Sequence, residues 1–281
     1  MIDVKKMRAD LKEQLREKIN GNSDGKYLKI IQVAGDPASD AYTKGKKRDC
    51  EEIGLKCVHT LLPNDVSPAD VMVAIKNGNL DMDCVGMILQ LPLPAHLAEL
   101  TNDFLDAIIE SKDVDGFNIS SPFDPCTPAG IVYIMKKHFG DNLAGRTVLI
   151  VGRGKLVGKP LAAMLDRENM TIMQANSHTP RARLAQLLQV ADVVITATGK
   201  IDTIDAQMGL WLRDETLVID AGISRNEEGK LCGDCNPSIY KIHNNITPVP
   251  GGVGLMTRAM LLDNTIRAMM ENIWFFNFIM L

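Results

Sequence analysis

Apolar residues recur every three or four positions at Val4, Met7, Leu11, Leu15 and Ile19, with Lys, Arg and Glu between them. That spacing predicts an amphipathic helix ending near Asn20-Gly21-Asn22. The period then changes. Leu28 to Val33 reads as a strand, Gly35-Asp36-Pro37 as a turn, Ser39 to Ile53 as a helix and Cys57 to Leu62 as a second strand. Ser67-Pro68 supplies a cap and first-turn signal for a helix over Ala69 to Asn77. Val85 to Gln90 is a third strand running into Leu91-Pro92-Leu93-Pro94. Strands alternating with helices predict an α/β unit with a parallel sheet.

The alternation breaks at Ser120-Ser121-Pro122-Phe123-Asp124-Pro125-Cys126-Thr127-Pro128, whose prolines forbid a continuous helix or central strand. A domain junction belongs there. After a helix over Ala129 to His138 the pattern restarts with a strand at Thr147 to Val151 and a helix from Pro160. A strand at Thr171 to Ala175, a helix at Arg181 to Gln189 and strands near Val193, Val218 and Ile246 follow. This is a second, Rossmann-like doubly wound unit. A last helix, Met256 to about Met270, follows both sheets and is expected to return over the first domain. The expected fold is therefore two α/β domains flanking a cleft. Residues 1–120, with the stretch from about 258 to 281, form the first domain, and residues 121–257 the second.

Composition narrows the function classes. A chain of 281 residues that is 46% hydrophobic and 23% charged is an ordinary globular protein able to bury a large core. Its net charge of −4 offers no overall positive field for phosphate backbones, so nucleic acid is not an expected partner. The opening MIDVKKMRAD has early acids and no apolar run, unlike a targeting leader. The apolar stretch from Ile273 to Leu281 is far short of the ~20 residues a spanning helix needs. A cytoplasmic protein without a membrane anchor is expected. Six scattered cysteines fit a reducing compartment. Cys232-Gly233-Asp234-Cys235 has zinc-ligand spacing but lacks a second ligand pair, His243 being the one nearby candidate; a plain loop is the preferred reading and no metal is expected.

The strand Thr147 to Val151 runs into Gly152-Arg153-Gly154-Lys155-Leu156-Val157-Gly158. Glycines in such a turn let the backbone approach a pyrophosphate, whose charge is met by a helix N-terminus. The spacing is GxGxxxG, so the glycines alone also fit simple strand-turn-helix packing. Where an NAD-binding fold places an acid on the ribose, about 20 residues on, this chain has Ala175-Asn176-Ser177-His178-Thr179. Arg153 and Ser177 can instead receive a 2′-phosphate, which favours NADP.

Tyr42 and Lys46 lie one turn apart on one helix face. Lys44, Lys46, Lys47 and Arg48 also form a charge run, and a solvated basic helix is the simpler reading of this segment alone. Short-chain dehydrogenases use Tyr-x-x-x-Lys too, but after the glycine turn, whereas here the pair precedes it.

Three further segments are Val85-Gly86-Met87-Ile88-Leu89-Gln90-Leu91-Pro92-Leu93-Pro94, Lys112-Asp113-Val114-Asp115-Gly116-Phe117 and Thr247-Pro248-Val249-Pro250-Gly251-Gly252-Val253-Gly254-Leu255-Met256-Thr257. With Pro125-Cys126-Thr127-Pro128 and the Gly152 turn, they resemble, in order from about Val33 to Thr265, the methylenetetrahydrofolate dehydrogenase/cyclohydrolase family. The resemblance implies hydride transfer from methylenetetrahydrofolate to NADP, then water addition to give 10-formyltetrahydrofolate. It implies that Lys46 is the catalytic lysine and Gln90 its hydrogen-bond partner. An amine useful near neutral pH must be able to lose its proton, and a neutral amide orients it without a countercharge. Tyr42 matches the residue that stacks on or positions the folate, and Asp115 the carboxylate on the pterin edge. For Asp115 the plain alternative is surface charge beside Lys112 and Asp113. Pro248, Gly251 and Gly252 match the folate-lining loop; Gly152, Arg153, Gly154, Ser177 and Ile223 match NADP contacts. A homodimer is likewise implied by the resemblance. Two positions depart from the family pattern, which usually has Ser at Gly154 and Pro at Leu255. Intact Tyr42, Lys46, Gln90 and Asp115 argue against a catalytically silent binding protein, while a dehydrogenase with weak cyclohydrolase activity would share every residue named. The hydrophobic tail after Asn272 is expected to pack on its own domain or on a subunit partner.

Overall fold

The structure, a computed structural model, describes residues 1–19 and 25–279, with side-chain surroundings up to residue 271. The chain divides into two compact units, one of residues 10–126 and 258–281, the other of residues 1–9 and 127–257.

The first unit carries a sheet of three parallel strands, β1 (Tyr27–Val33), β2 (Lys56–Leu62) and β3 (Cys84–Leu89), in the order β2-β1-β3. β1 is buried along its whole length, as a central parallel strand covered on both faces should be. Helix α1 (Val4–Ile19) buries Val4, Leu11, Leu15 and Ile19, the stripe set by its period. Its expected end near Asn20 to Asn22 falls outside the described residues. Helix α2 (Pro37–Ile53) begins two residues before the sequence pattern suggested. Asp36 is not a turn residue but its N-cap, accepting from the N–H groups of Ala38 and Ser39, with Pro37 in the first turn. Helix α3 (Pro68–Leu80) is capped by Ser67. A 3-10 turn at Ala95–Leu100 and the short helix α4 (Thr101–Asp106) follow, neither signalled by periodicity. The core between these layers holds Ile31, Val71, Ile75, Met87, Leu89 and Phe104.

Helix α5 (Cys126–Phe139) starts inside the proline-rich segment: Pro128 sits in its first turn, where the missing N–H costs no helical bond. The second unit's sheet is parallel throughout, order β5-β4-β6-β7, from β4 (Thr147–Val151), β5 (Thr171–Ala175), β6 (Val193–Thr196) and β7 (Leu217–Asp220). Helices α6 (Gly158–Arg167) and α7 (Arg181–Val190) connect the first three strands. The short helices α8 (Ala206–Gly209) and α9 (Ile239–Ile242) and the two-residue strands β8 (Ser224–Arg225) and β9 (Leu231–Cys232) complete it. The strand expected near Ile246 is a single parallel bridge to Val218. Residues 1–9 belong to this unit, where the Ile2 N–H donates to the Ile246 carbonyl.

Helix α10 (Val253–Ile279) is longer than the Met256 to Met270 read from the pattern, and its residues from Arg258 onward belong to the first unit. There Asn264 Nδ2 donates to the carbonyls of Val114 and Asp124, both at 3.0 Å. Packing of the tail after Asn272 lies outside the described side chains. Among the described residues no helix is long and apolar enough to cross a membrane.

Candidate active site

Lys46 is not part of a solvated face. It lies on the buried side of α2 and is only 6% exposed. Its Nζ donates to Gln90 Oε1 at 3.0 Å and stands 5.1 Å from the centre of the Tyr42 ring. Gln90 follows β3 directly. Its backbone N–H donates to the Ile31 carbonyl and its Nε2 to the Leu91 carbonyl at 2.6 Å, so the amide oxygen must face the amine. Burial lowers the Lys46 pKa below its ordinary value, and the nearby Asp115 carboxylate opposes that change. A buried amine held by a neutral amide can exist unprotonated and exchange a proton with a bound molecule.

The Lys112-Asp113-Val114-Asp115 segment assigns a separate task to each polar residue. Lys112 is buried, and its Nζ donates to the carbonyls of Gly78, Asn79 and Asp81 at the end of α3. Those carbonyls have no partner within the helix. Asp113 is 2% exposed and accepts from the N–H groups of Gly116 at 3.1 Å and Asn118 at 2.8 Å. Burial pushes its carboxyl up to about 6 against those bonds. Asp115 is left half-buried and close enough to Lys46 to act on it electrostatically. Lys112 and Asp113 are thus buried structural groups, and Asp115 is the partly exposed one of the three. A cavity of about 620 Å³ beside α2 is lined by Gln32, Asp40, Lys44, Lys47, His59 and Arg258 among others. None of Tyr42, Lys46, Gln90 and Asp115 lines it.

The second unit presents a dinucleotide-type edge. In the order β5-β4-β6-β7 the connections leave β4 in opposite directions, and the crevice of such a sheet lies at the carboxyl ends of β4 and β6. Gly152 follows β4 with φ +120, and a Cβ there would overlap the Ala197 carbonyl that follows β6. Only glycine permits that approach. The turn leads into α6, whose N-terminal N–H groups and dipole suit a phosphate. Arg153, Gly154 and Ser177 are all exposed, at the turn and just past β5, and Ile223 is exposed beyond β7. The residues present thus fit a dinucleotide: a backbone cradle, a helix N-terminus and a cation with a hydroxyl in place of an acid. Nothing near Gly154 would obstruct a side chain. Pro248, Gly251 and Gly252 form the loop that precedes α10 in this same unit. Lys46, Tyr42, Gln90 and Asp115 are thus gathered in one unit and the other named residues in the second.

The sequence reading missed the residues that shape the cofactor edge. Asp234, fully buried, accepts from the Thr198 N–H at 2.6 Å, the Thr198 hydroxyl at 2.9 Å and the Lys200 N–H at 3.0 Å. Burial raises its pKa. Asp220 accepts from Thr196, Gly222, Asp234, Cys235 and the Tyr240 hydroxyl. Together the two carboxylates fix the loops after β6 and β7. The Cys232 to Cys235 segment is therefore a loop whose Asp234 and Cys235 N–H groups are held by Asp220. His243 Nε2 is turned to the Thr216 carbonyl at 2.7 Å. The signal was present as an acid inside a small-residue loop, but only the fold shows what it grips.

Comparison with known proteins finds two family domains, one after the other along the chain. Residues 2–115 match the tetrahydrofolate dehydrogenase/cyclohydrolase catalytic domain, and residues 125–273 the NAD(P)-binding domain of that group. The chain is 40% identical over 283 residues to the bifunctional protein FolD of Agathobacter rectalis, covering 96% of this chain and 98% of that one. The crystal structure of the bifunctional enzyme FolD from Campylobacter jejuni superposes with a TM-score of 0.87 at 36% identity, over 96% of this chain and 98% of that chain. The Trypanosoma brucei methylenetetrahydrofolate dehydrogenase-cyclohydrolase, solved with NADP and an inhibitor, gives 0.88 at 25% identity, over 97% and 98%. With both family domains matched in order along nearly its whole length, the chain belongs to the tetrahydrofolate dehydrogenase/cyclohydrolase family.

Proposed function

We propose that this protein oxidises 5,10-methylenetetrahydrofolate with NADP to the 5,10-methenyl cation and hydrolyses that cation to 10-formyltetrahydrofolate. The observation that carries the reading is the buried Lys46 amine, 3.0 Å from the neutral amide oxygen of Gln90. The Gly152 turn, with Arg153 and Ser177 toward the 2′-phosphate, would hold NADP, which when bound would supply the hydride acceptor. Tyr42 offers a ring face for the folate and Asp115 accepts from the amide and amino edge of the pterin.

In the first step the bridge carbon loses a hydride, and the remaining positive charge is shared by its two nitrogens. A charged ammonium beside it would oppose that cation, so the lowered proton affinity of Lys46 favours the step. In the second step water adds to the bridge carbon. Lys46 takes a proton from the attacking water, and one carbon–nitrogen bond breaks as its nitrogen gains a proton. The formyl group stays on the other nitrogen, and one proton is released overall. A homodimer in the cytoplasm is the assembly and location this reading implies.

The test is to supply methylenetetrahydrofolate with NADP or NAD to the full chain and follow reduced cofactor, methenyl cation and 10-formyl product together. The reading predicts preference for NADP and a 10-formyl product formed faster than the methenyl cation hydrolyses unaided. Methenyl cation that accumulates and decays at the unaided rate would remove the cyclohydrolase activity from the proposal. Preference for NAD would remove the cofactor assignment.

A further inference from the structure

Gly45 occupies the middle of α2, one residue before Lys46, where glycine costs a helix roughly 1 kcal/mol relative to alanine. No left-handed backbone angle requires it, since Gly45 is absent from the positive-φ glycines of the chain. What requires it is Arg258 of α10. A Cβ on Gly45 would overlap the Arg258 guanidinium, which lies across the helix at that point. The guanidinium is held there by Asp49, whose carboxylate is 3.0 Å from Arg258 Nε and 3.2 Å from Lys12 Nζ of α1. Asp49 is 1% exposed and the Arg258 side chain 11%, so this is an interior ion pair and little screened by solvent.

Asp49 lies three residues after Lys46, at the spacing at which an acid and a lysine of one helix meet. Left alone, it would be a counter-ion for Lys46 and would keep the amine protonated. Both of its oxygens are instead engaged by other cations. We propose that Arg258 is a positioning residue for the Lys46 chemistry: docked on Gly45, it holds Asp49 away from the lysine and places a permanent positive charge against the turn that carries it.

The groups that face Lys46 make this balance consequential. Tyr42 and Cys50 come from α2, the neutral Gln90 from the end of β3, Asp115 from its loop, Cys126 from the start of α5 and Arg258 from α10, while Asp49 of α2 is paired with Lys12 and Arg258. Asp115 favours the protonated amine, and Arg258 is the cation that opposes it. A guanidinium keeps its charge over the whole working range of pH, which a lysine or histidine in its place would not guarantee.

This inference rests on the proposed role of Lys46, and the experiment separates the two. Hydrolysis of preformed methenyltetrahydrofolate is followed against pH with the full-length protein and its Arg258→Met, Arg258→Lys, Gly45→Ala and Lys46→Met variants. Arg258→Met is expected to move the acid limb of kcat upward by roughly half a pH unit or more, because the amine now holds its proton to higher pH. Arg258→Lys, which keeps the cation, should leave the limb close to its wild-type position. Gly45→Ala, which displaces the guanidinium while favouring the helix, should move the limb in the same direction; it decides the matter if Arg258→Met does not fold. A uniform drop in rate with the limb unmoved in both variants would overturn the inference, since a merely structural contact predicts that. Lys46→Met retaining full hydrolysis would overturn the underlying reading of the lysine.

Discussion

The chemistry of Lys46 is set by what is withheld from it as much as by what touches it. Its direct partner is an uncharged amide, and the acid one turn away is committed to Lys12 and Arg258. Replacing Gln90 by Glu tests this at one atom. A carboxylate 3.0 Å from the amine would favour the ammonium, raise the folded-state pKa of Lys46 and move the acid limb of hydrolysis to higher pH. We expect at least a tenfold loss of kcat at neutral pH with the dissociation constant for NADP unchanged; a pH–rate profile and a binding titration read the two separately. At the cofactor turn, Gly154→Ser adds a hydroxyl where there is open space. A further hydrogen bond to a phosphate, typically worth about 1.5–3 kcal/mol, should lower the NADP dissociation constant by tenfold or more if the hydroxyl reaches it. An unchanged constant would show that this residue points away from the phosphates.

Elements matter here through their ends. α2 presents Tyr42 and Lys46 because Asp36 and Pro37 fix its start, and the Asp115 loop keeps its shape because Asp113 gathers two N–H groups and Asn264 of α10 grips two carbonyls. The Asp113 carboxyl, pushed up to about 6, binds its proton more tightly in the folded than in the unfolded chain, where its pKa is near 4. Its contribution to stability therefore falls as pH rises through that window. Asp113→Asn removes this dependence. Relative to wild type, the melting temperature of the variant should rise between pH 4 and pH 7, while its KM for folate increases because the loop loses an acceptor of full charge. Parallel melting curves across that range would contradict this assignment of Asp113. These contacts also show what was legible in the sequence. Apolar runs marked β3, β4 and β6, a mostly apolar run broken by Lys29 and Gln32 marked β1, and 3.6-residue spacing marked α1, because burial imposes those periods. Asp113, Asp234 and Asp49 were not legible. An acid that binds loop N–H groups or a distant arginine carries the same letters as a solvated one, and only the third dimension distinguishes them.

For the whole molecule, the motif order of the chain identified the family and two α/β units, while the finer joints escaped the pattern. The segment near Ile246, expected as a strand, makes one bridge before Pro248 and Pro250 interrupt any ladder, and α5 begins earlier than a proline-rich stretch suggests because Pro128 falls where no helical N–H is needed. Neither changes the chemistry, which concentrates on one amine. Its most direct test is the Lys46→Met variant of the full chain, measured for NADP binding and for hydrolysis of preformed methenyltetrahydrofolate in the same preparation. NADP binding within a factor of about two of wild type and hydrolysis reduced to the unaided rate are expected, a loss larger than any uniform-binding effect would give. Hydrolysis at a wild-type rate would contradict this role of Lys46.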